Sequence, residues 1–162
     1  MIKNPISNEE KGIKIAPSAV VVGDVDIAED VSIWHHATLR GDINTITLGK
    51  GTNIQDNCVV HVSYDAATVV GDYVTVGHSA ILHGCTIHDH VIIGMGAIIL
   101  DKAITESNVI VAAGSVVAPG KVLTSGYLYM GSPAVQKRPL SEDERMMIKE
   151  NAAHYISNKS QL

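Results

Sequence analysis

The sequence predicts an all-β solenoid, in which short strands follow one another along the faces of a narrow prism. Apolar residues recur every six positions, and aromatic residues are scarce, with no Phe and one Trp among 162 residues. A helix would need apolar residues at alternating steps of three and four, and a hairpin sheet would show turn signals between opposed strands. Six-residue repeats instead place one apolar residue on each face and a turn at each corner, so about 18 residues close one coil.

One large apolar residue of each repeat is predicted to point into the prism. These residues are Ile15, Val21, Ile27, Ile33, Leu39, Leu48, Ile54, Val60, Val70, Val76, Leu82, Ile87, Ile93, Ile99, Ile104, Ile110, Val116 and Val122. Two late steps, which end at Ile87 and Ile104, are one residue short. We expect tighter turns at those two points without a break in the stack.

Three segments are predicted along the chain. Residues 1–123 form the solenoid, residues 124–140 form a connector that contains Gly and Pro, and residues 141–158 form a helix packed on the solenoid. The pattern Ser141-x-x-Glu144 is typical of a helix capping box. The helix stripe that would face the prism consists of Met147, Ile148, Asn151, Ala152, Tyr155 and Ile156.

Composition and charge argue against several classes of partner. The formal net charge is −5 and there is no basic cluster, so nucleic acid and anionic membranes are not expected partners. The chain has no apolar run of about 18 residues and its N-terminus lacks a signal-peptide pattern, which favours a cytoplasmic location. Cys58 and Cys85 lack a metal-binding spacing and are interpreted as small packing residues.

Three nitrogen-bearing side chains are predicted to lie on one column of the prism. Arg40, His61 and His83 each directly follow an inward apolar residue. The step that begins at Val60 has four extra residues, so the 22 residues from His61 to His83 amount to one 18-residue coil. The three extra residues in the step after Leu39 likewise place Arg40 one coil below His61. Neighbouring members of the column should be about 4.8 Å apart along the axis.

His78 is predicted to lie on the preceding face of the prism. Five extended residues from His78 to His83 span about 16 Å, whereas zinc needs imidazole nitrogens about 2 Å away. One chain therefore cannot bring all three histidines to one ion, but neighbouring copies in a three-fold arrangement can. The other histidines, interpreted as surface or structurally satisfied residues, are His35, His36, His88, His90 and His154.

The repeat pattern over residues 12–123 resembles the left-handed parallel β-helix of the hexapeptide-repeat superfamily. A more specific set of residues resembles the gamma-class carbonic anhydrase family. This set is Arg40-Gly41-Asp42, Asn53-x-Gln55-Asp56-Asn57, His61 and His78-x4-His83. The resemblance implies a homotrimer in which His61 and His83 of one subunit and His78 of the next bind Zn²⁺, with Fe²⁺ or Co²⁺ as alternatives. It also implies an intersubunit salt bridge between Arg40 and Asp42.

The same resemblance implies an activity and roles for further residues. The reaction would be reversible hydration of CO₂ to bicarbonate by metal-bound hydroxide, the reaction of a carbonate dehydratase, which is a lyase. Gln55, supported by Asn53, would orient the hydroxide or the substrate by hydrogen bonding. Tyr127 and Tyr129 are candidates to reach the pocket, and the alternative is that they pack the connector on the prism.

Two departures from the family pattern predict slow turnover. Archetypal members have a glutamate that helps to move the proton directly after the Arg-Gly-Asp aspartate, and this chain has Ile43 there. The loop after His61 is short, and Asp65 is its only carboxylate. Hydration releases a proton, so loss of a relay slows the reaction even when the metal is in place.

Two alternatives to carbonic anhydrase activity fit the same fold. One is acyl-CoA chemistry, either acyl transfer or thioester hydrolysis. The histidines best placed to act as a free base are already assigned as metal ligands, which argues against transfer. The other alternative is a trimeric scaffold that keeps its metal without turnover.

Overall fold

The inward apolar residues build a left-handed parallel β-helix of about six coils, followed by one C-terminal helix. This confirms the predicted fold class. The structure is a computed structural model and describes residues 11–162. Residues 1–10, the start of the first predicted segment, lie outside the described residues. Among residues 11–162 no helix is long and apolar enough to cross a lipid bilayer.

Most strands are only two or three residues long because each occupies one face of the prism. They are β1 (Lys14–Ile15), β2 (Val20–Ile27), β3 (Ser32–Ile33), β4 (Thr38–Leu48), β5 (Asn53–Ile54), β6 (Val59–His61), β7 (Thr68–Val70), β8 (Thr75–Val76), β9 (Ile81–His83), β10 (Thr86–Ile87), β11 (Ile92–Ile93), β12 (Ile98–Ile99), β13 (Ile104–Thr105), β14 (Ile110–Val111), β15 (Val116–Val117), β16 (Val122–Leu123), β17 (Tyr127–Met130) and β18 (Val135–Pro139). Helix α1 (Glu142–Asn158) and a 3-10 turn (Lys159–Gln161) follow.

Equivalent strands of successive coils pair in parallel and form the faces. One sheet runs in the order β1-β3-β5-β8-β11-β14-β17-β18, and the other in the order β15-β12-β9-β6-β4-β7-β10-β13-β16, with β2 paired to β4. The long strand β4 turns a corner, so its first half pairs with β6 and its second half with β7.

The corners of the prism share one backbone device. Most turns between strands contain one residue with a positive φ angle, and such residues recur at the same corner of successive coils. Asn57, Ser79 and Gly96 mark one corner, while Gly84 and Lys102 belong to another. At the first of these corners the preceding residues, Asp56, His78 and Met95, occupy equivalent places in successive coils.

The interior is filled by aliphatic side chains of similar size. Ile33, Leu39, Ile54, Leu82 and Ile93 have no exposed surface, and each such side chain contributes about 1.5–3 kcal/mol through burial. The two cysteines are buried within the same core, as predicted. Burial raises the pKa of the Cys58 thiol to about 11 and that of Cys85 to about 12, so both are poor nucleophiles.

The predicted register is wrong in the last coils. Ile104 and Val122, predicted to point inward, are 37% and 46% exposed, whereas their neighbours Thr105 and Leu123 are fully buried. Consecutive apolar residues make a one-residue slip hard to detect, and such a slip exchanges the two faces of a strand. The inward residue of β13 is a threonine, so the apolar pattern alone pointed to Ile104. The same correction replaces Ile110 with Val111 and Val116 with Val117 as the inward residues.

Residues 124–140 differ from the predicted connector because they contain two paired strands. Strand β17 pairs in parallel with β14 and adds one more rung to the first sheet, and β18 then returns antiparallel to β17. Tyr129 is 2% exposed and fills the end of the prism. Its hydroxyl accepts a hydrogen bond from the Thr124 amide at 2.8 Å and contacts Gln136 Oε1 at 3.1 Å.

Helix α1 begins with the capping box that the sequence predicts. Ser141 Oγ accepts from the Glu144 amide at 3.2 Å, and the Ser141 amide donates to Glu144 Oε2 at 2.9 Å. Arg138 donates two hydrogen bonds to the same carboxylate, at 2.7 and 2.8 Å. These contacts, those of Arg138 first, lower the pKa of Glu144 to about 2.

The helix packs on the first sheet through a narrower stripe than expected. Ile148 and Ala152 are buried, and Tyr155 meets Trp34 edge to face with ring centroids 5.4 Å apart. Met147 is 40% exposed, so its predicted place in the stripe is wrong. Ile148, which belongs to the predicted stripe, packs with Leu140, which precedes the helix.

Thr105 provides a test of the corrected register. Its hydroxyl is buried, and within residues 11–162 it has no hydrogen-bond partner. Thr105→Val removes this unpaired polar group at nearly constant volume, so the free energy of unfolding should rise by about 1 kcal/mol and the Tm by about 2–4 °C. Thermal and urea unfolding measure both.

The matched control for that variant is Thr52→Val. Thr52 is also fully buried, but its hydroxyl donates to the Gly71 carbonyl at 2.7 Å and accepts from the Val74 amide at 3.0 Å. This substitution should lower stability by about 1–3 kcal/mol. Equal effects at the two threonines would contradict the register.

The capping box predicts a pH-dependent contribution to stability. The folded pKa of Glu144, about 2, lies below its ordinary value of 4.5. The stabilisation is therefore complete above about pH 4.5 and is lost as the pH falls towards 2. Urea unfolding of wild type and Glu144→Gln should show a stability difference that shrinks over this interval. A difference that stays constant with pH would contradict the proposed role of the carboxylate.

Candidate metal centre

His61 and His83 stack directly over one another at the ends of β6 and β9. They are paired residues in the parallel register, which agrees with the column predicted from the repeat. Their ring centroids are 5.0 Å apart, and His61 Nδ1 lies 3.1 Å from His83 Nε2. Arg40 pairs with His61 one coil below, so it completes the predicted column.

Each of the two rings has a carboxylate at its other nitrogen. Asp42 Oδ1 lies 2.9 Å from His61 Nε2, and Asp101 Oδ1 lies 2.5 Å from His83 Nδ1. An ionised carboxylate only accepts hydrogen bonds, so these ring nitrogens carry protons. In the neutral rings the two nitrogens that face each other, His61 Nδ1 and His83 Nε2, are therefore left with lone pairs.

Two lone pairs at 3.1 Å repel each other unless a cation lies between them. Imidazole nitrogens bind zinc at about 2.0–2.1 Å, so two of them on one tetrahedral ion are about 3.3 Å apart. The observed separation is close to this value. The side chains of His61 and His83 are 15% and 33% exposed, so the position between them is accessible from outside the prism. The pair fits a divalent metal ion.

His78 lies at a different corner of the prism, between β8 and β9. Its Nδ1 is 2.9 Å from Asp56 Oδ2, which leaves Nε2 for another partner, and its side chain is 45% exposed. Among residues 11–162 of the single chain, no group of three or more His, Cys, Asp and Glu side chains is arranged to hold a metal. Within one protomer, His61 and His83 thus form a two-histidine pair that His78 does not join.

Asn53 and Gln55 are buried on β5 and form a network that leads to His78. Gln55 Nε2 donates to Asn53 Oδ1 at 3.1 Å, and Asn53 Nδ2 donates to Thr75 Oγ1 at 3.0 Å. Gln55 Oε1 accepts from the His78 amide at 3.1 Å. The Gln55 amide is therefore fixed in orientation and tied to the corner that carries His78.

A cavity of about 250 Å³ lies beside this network. Its lining includes Gln55, His78, Met95 and Tyr155. Neither Tyr127 nor Tyr129 belongs to the lining. Strand β17 lies three strands beyond β8 in the first sheet, about 14 Å away. In the single chain, the structure does not bring these two tyrosines together with Gln55.

Arg40 and Asp42 form an ion pair within one chain. Asp42 contacts His61 as well, and the hydrogen bond from His61, followed by that from Arg40, lowers the pKa of Asp42. Both side chains are about half exposed and so remain available to a neighbouring subunit. The intersubunit salt bridge itself stays a prediction.

Sequence reasoning assigned no role to two residues that contact the histidines: Asp56, which it named only within the family-like set, and Asp101, which it missed. Both look like ordinary turn residues in the sequence. Ile99 pairs with Leu82, so Asp101 lies one coil above Gly84, the residue that follows His83. At the other corner Ile54 pairs with Val76, so Asp56 lies one coil below His78 itself. A search for polar residues one coil away from each histidine would have found Asp56 but not Asp101.

Comparison with known proteins adds evidence of a different kind. No family model matches the chain. The chain is 46% identical over 154 residues to gamma carbonic anhydrase 2, a mitochondrial protein of Arabidopsis thaliana; the match covers 91% of this chain and 55% of that protein. The chain therefore spans only about half the length of that relative.

Two further relatives match over nearly their whole length. A Methanocaldococcus jannaschii protein named "Probable carbonic anhydrase" is 44% identical over 146 residues, which cover 90% of this chain and 92% of that protein. A crystal structure of a hexapeptide transferase family protein from Anaplasma phagocytophilum superposes with a TM-score of 0.83 at 40% identity, and the match covers 92% of each chain. The chain belongs to the gamma-class carbonic anhydrase-like family of the hexapeptide-repeat superfamily.

Proposed function

We propose that this protein is a metal-dependent gamma-class carbonic anhydrase that interconverts CO₂ and bicarbonate at a site shared between subunits of a homotrimer. The observation that carries the proposal is the facing pair His61 Nδ1 and His83 Nε2, 3.1 Å apart, with a carboxylate behind each ring. The relatives named as carbonic anhydrases support the reaction. We propose Zn²⁺ as the metal, with Fe²⁺ or Co²⁺ as alternatives, and a cytoplasmic location.

The outer surface of the face that carries the histidines supports a homotrimer. Its outward-pointing column is mostly apolar and consists of Val20, Thr38, Val59, Ile81, Ile98 and Val116. Val20 and Val59 are 48% and 41% exposed in the single chain. A neighbouring subunit packed on this face would bury the column and bring the half-exposed His78 of its own corner to His61 and His83.

When bound, the metal supplies Lewis acidity, which makes water a nucleophile near pH 7. The chain's own residues prepare and complete the site. Asp42 and Asp101 hold the rings of His61 and His83 so that their free nitrogens converge. Gln55, held by Asn53 and the His78 amide, has one further N–H and one lone pair with which to orient substrate oxygens at the cavity.

The chain offers a poor route for the proton that hydration releases. Ile43 stands next to Asp42 and cannot take up a proton. Asp65, the carboxylate in the loop after His61, contacts Lys102 Nζ at 2.5 Å, and this hydrogen bond lowers the pKa of Asp65. A carboxylate with a lowered pKa does not hold a proton near pH 7. Proton transfer to external buffer is therefore expected to limit the rate.

Acyl-CoA chemistry is the second candidate function. The observation that favours it is the likeness to the Anaplasma hexapeptide transferase family protein. It predicts saturable binding of CoA derivatives and release of free thiol. The third candidate is a trimeric scaffold that holds metal without turnover, and it predicts no activity in either assay.

The proposed function predicts the metal content and the assembly of the protein. Protein purified without a metal-affinity tag should contain about one divalent metal per chain and have the mass of a trimer, because three neutral histidines complete the site. His78→Ala should lose the metal. Elemental analysis and light scattering measure both quantities.

The matched control is His88→Ala, since His88 is an exposed corner histidine and should leave the metal content unchanged. A trimer that contains no metal, and stays empty after anaerobic reconstitution with Zn²⁺ or Fe²⁺, would rule out the proposed mechanism.

The proposed function also predicts turnover of CO₂. Metal-loaded protein should accelerate CO₂ hydration in a stopped-flow assay, and the rate should rise with buffer concentration because external buffer must carry the proton. Gln55→Ala should lower kcat/KM about 10–100-fold at unchanged metal content, since it removes a hydrogen-bonding group that orients the substrate.

Gln136→Ala serves as the control for that variant, because Gln136 contacts Tyr129 at the end of the prism. Metal-loaded protein that never exceeds the buffer rate, under oxidising or reducing conditions, would contradict the proposed activity. Thiol release from an acyl-CoA under the same conditions would favour the second candidate.

A further inference from the structure

Asp101 lies at the corner between β12 and β13, directly above the corner that carries His83. The two residues are 18 positions apart, and each precedes a residue with positive φ, Lys102 and Gly84 respectively. Asp101 Oδ1 is 2.5 Å from His83 Nδ1. Because Ile99 pairs with Leu82, Asp101 stacks over Gly84, and from there its carboxylate reaches the back of the His83 imidazole.

Gly84 makes room for this contact. Its φ is +54°, and a Cβ added there would lie 2.5 Å from Asp101 Oδ1. Its carbonyl accepts a hydrogen bond from the Lys102 amide at 2.6 Å, which fixes the backbone next to Asp101. Any side chain at position 84 would therefore push the carboxylate away from His83.

Lys102, the neighbouring cation, is engaged elsewhere. Its Nζ lies 2.5 Å from Asp65 Oδ2. Among the ion pairs of residues 11–162, Asp101 is paired with His83 and Lys102 with Asp65. The charge of Asp101 is therefore directed at the imidazole. Asp42, which faces His61, differs because it also pairs with Arg40.

We propose that Asp101 is a positioning residue for the metal ligand His83, an inference that rests on the metal-dependent function proposed above. The carboxylate accepts the Nδ1–H of His83, which leaves the lone pair on Nε2, and it holds the ring so that Nε2 faces His61 Nδ1. A carboxylate in this place also makes the imidazole a stronger electron donor. Metal affinity should therefore depend on Asp101 although the residue does not touch the metal.

The test compares metal affinity in Asp101→Ala and Asp101→Asn with wild type. The probe is Zn²⁺ in competition with a chromophoric chelator. The Kd should rise about 10–100-fold in Asp101→Ala. Asp101→Asn should show a smaller rise, because an amide oxygen still accepts the hydrogen bond but carries no charge. The visible spectrum of the Co²⁺-loaded protein should also change in both variants.

Asp89→Asn is the matched control. Asp89 is likewise a corner carboxylate, and its Oδ1 accepts from the Asp72 amide at 2.8 Å, at the corner between β10 and β11, which carries neither His61 nor His83. The control loses the same charge and should bind Zn²⁺ within about twofold of wild type. The Tm of each metal-free variant separates a loss of affinity from a loss of folding, since a positioning role lowers affinity at unchanged metal-free Tm.

The outcomes distinguish this inference from the proposed function. Wild type that binds none of Zn²⁺, Co²⁺ and, under anaerobic conditions, Fe²⁺ would overturn both. Wild type that binds Zn²⁺ while both Asp101 variants match it within twofold would overturn the role of Asp101 alone. If Asp101→Ala does not fold, the nearly isosteric Asp101→Asn decides, and an unchanged Kd and Co²⁺ spectrum in that variant would overturn the inference.

Discussion

The structure depends on one constraint: the parallel hydrogen-bonded register stacks equivalent residues of successive coils about 4.8 Å apart. The register aligns Val60 with Leu82 in the core and, one residue later, His61 with His83 on the outside. Core packing and site geometry thus cannot be varied independently. A slip of one residue would bury the histidines and expose the apolar residues that hold the coil together.

The two long steps of the repeat are compatible with this register because their extra residues leave the prism at corners. The loop after His61 lies beside the histidine pair, and Lys102 from a higher coil contacts its Asp65. Asp42 follows Arg40 in β4, where this strand turns a corner, and its carboxylate contacts His61. Interruptions of the pattern therefore supply Asp42 and Asp65, whereas Asp101 comes from a corner without inserted residues and the strands supply the rings themselves.

The sequence was sufficient to predict the solenoid, the capped helix and the His61–His83 column, because each follows from spacing along one chain. It was not sufficient for the register after Ile99, because Thr105 occupies an inward position that an apolar pattern does not detect. It also gave no sign of Asp101, since an aspartate at a corner is typical of turns and its contact with His83 arises only when coils stack. The proposed metal site is shared between chains, and spacing along one chain alone does not assign the roles that the family resemblance implies for its residues.

The hairpin formed by β17 and β18 has a consequence for the open end of the solenoid. A parallel β-helix ends in unpaired backbone groups that could template another copy and lead to fibres. Strand β18 covers one sheet with an exposed edge that carries Lys137, Arg138 and Pro139. The tip of the hairpin covers the neighbouring edge, because the Val116 amide donates to the Gly131 carbonyl and the Ala134 amide donates to the Val116 carbonyl. On the faces that end in β14 and β15, the hairpin thus occupies edges that could otherwise pair with another copy, which disfavours end-to-end polymerisation there.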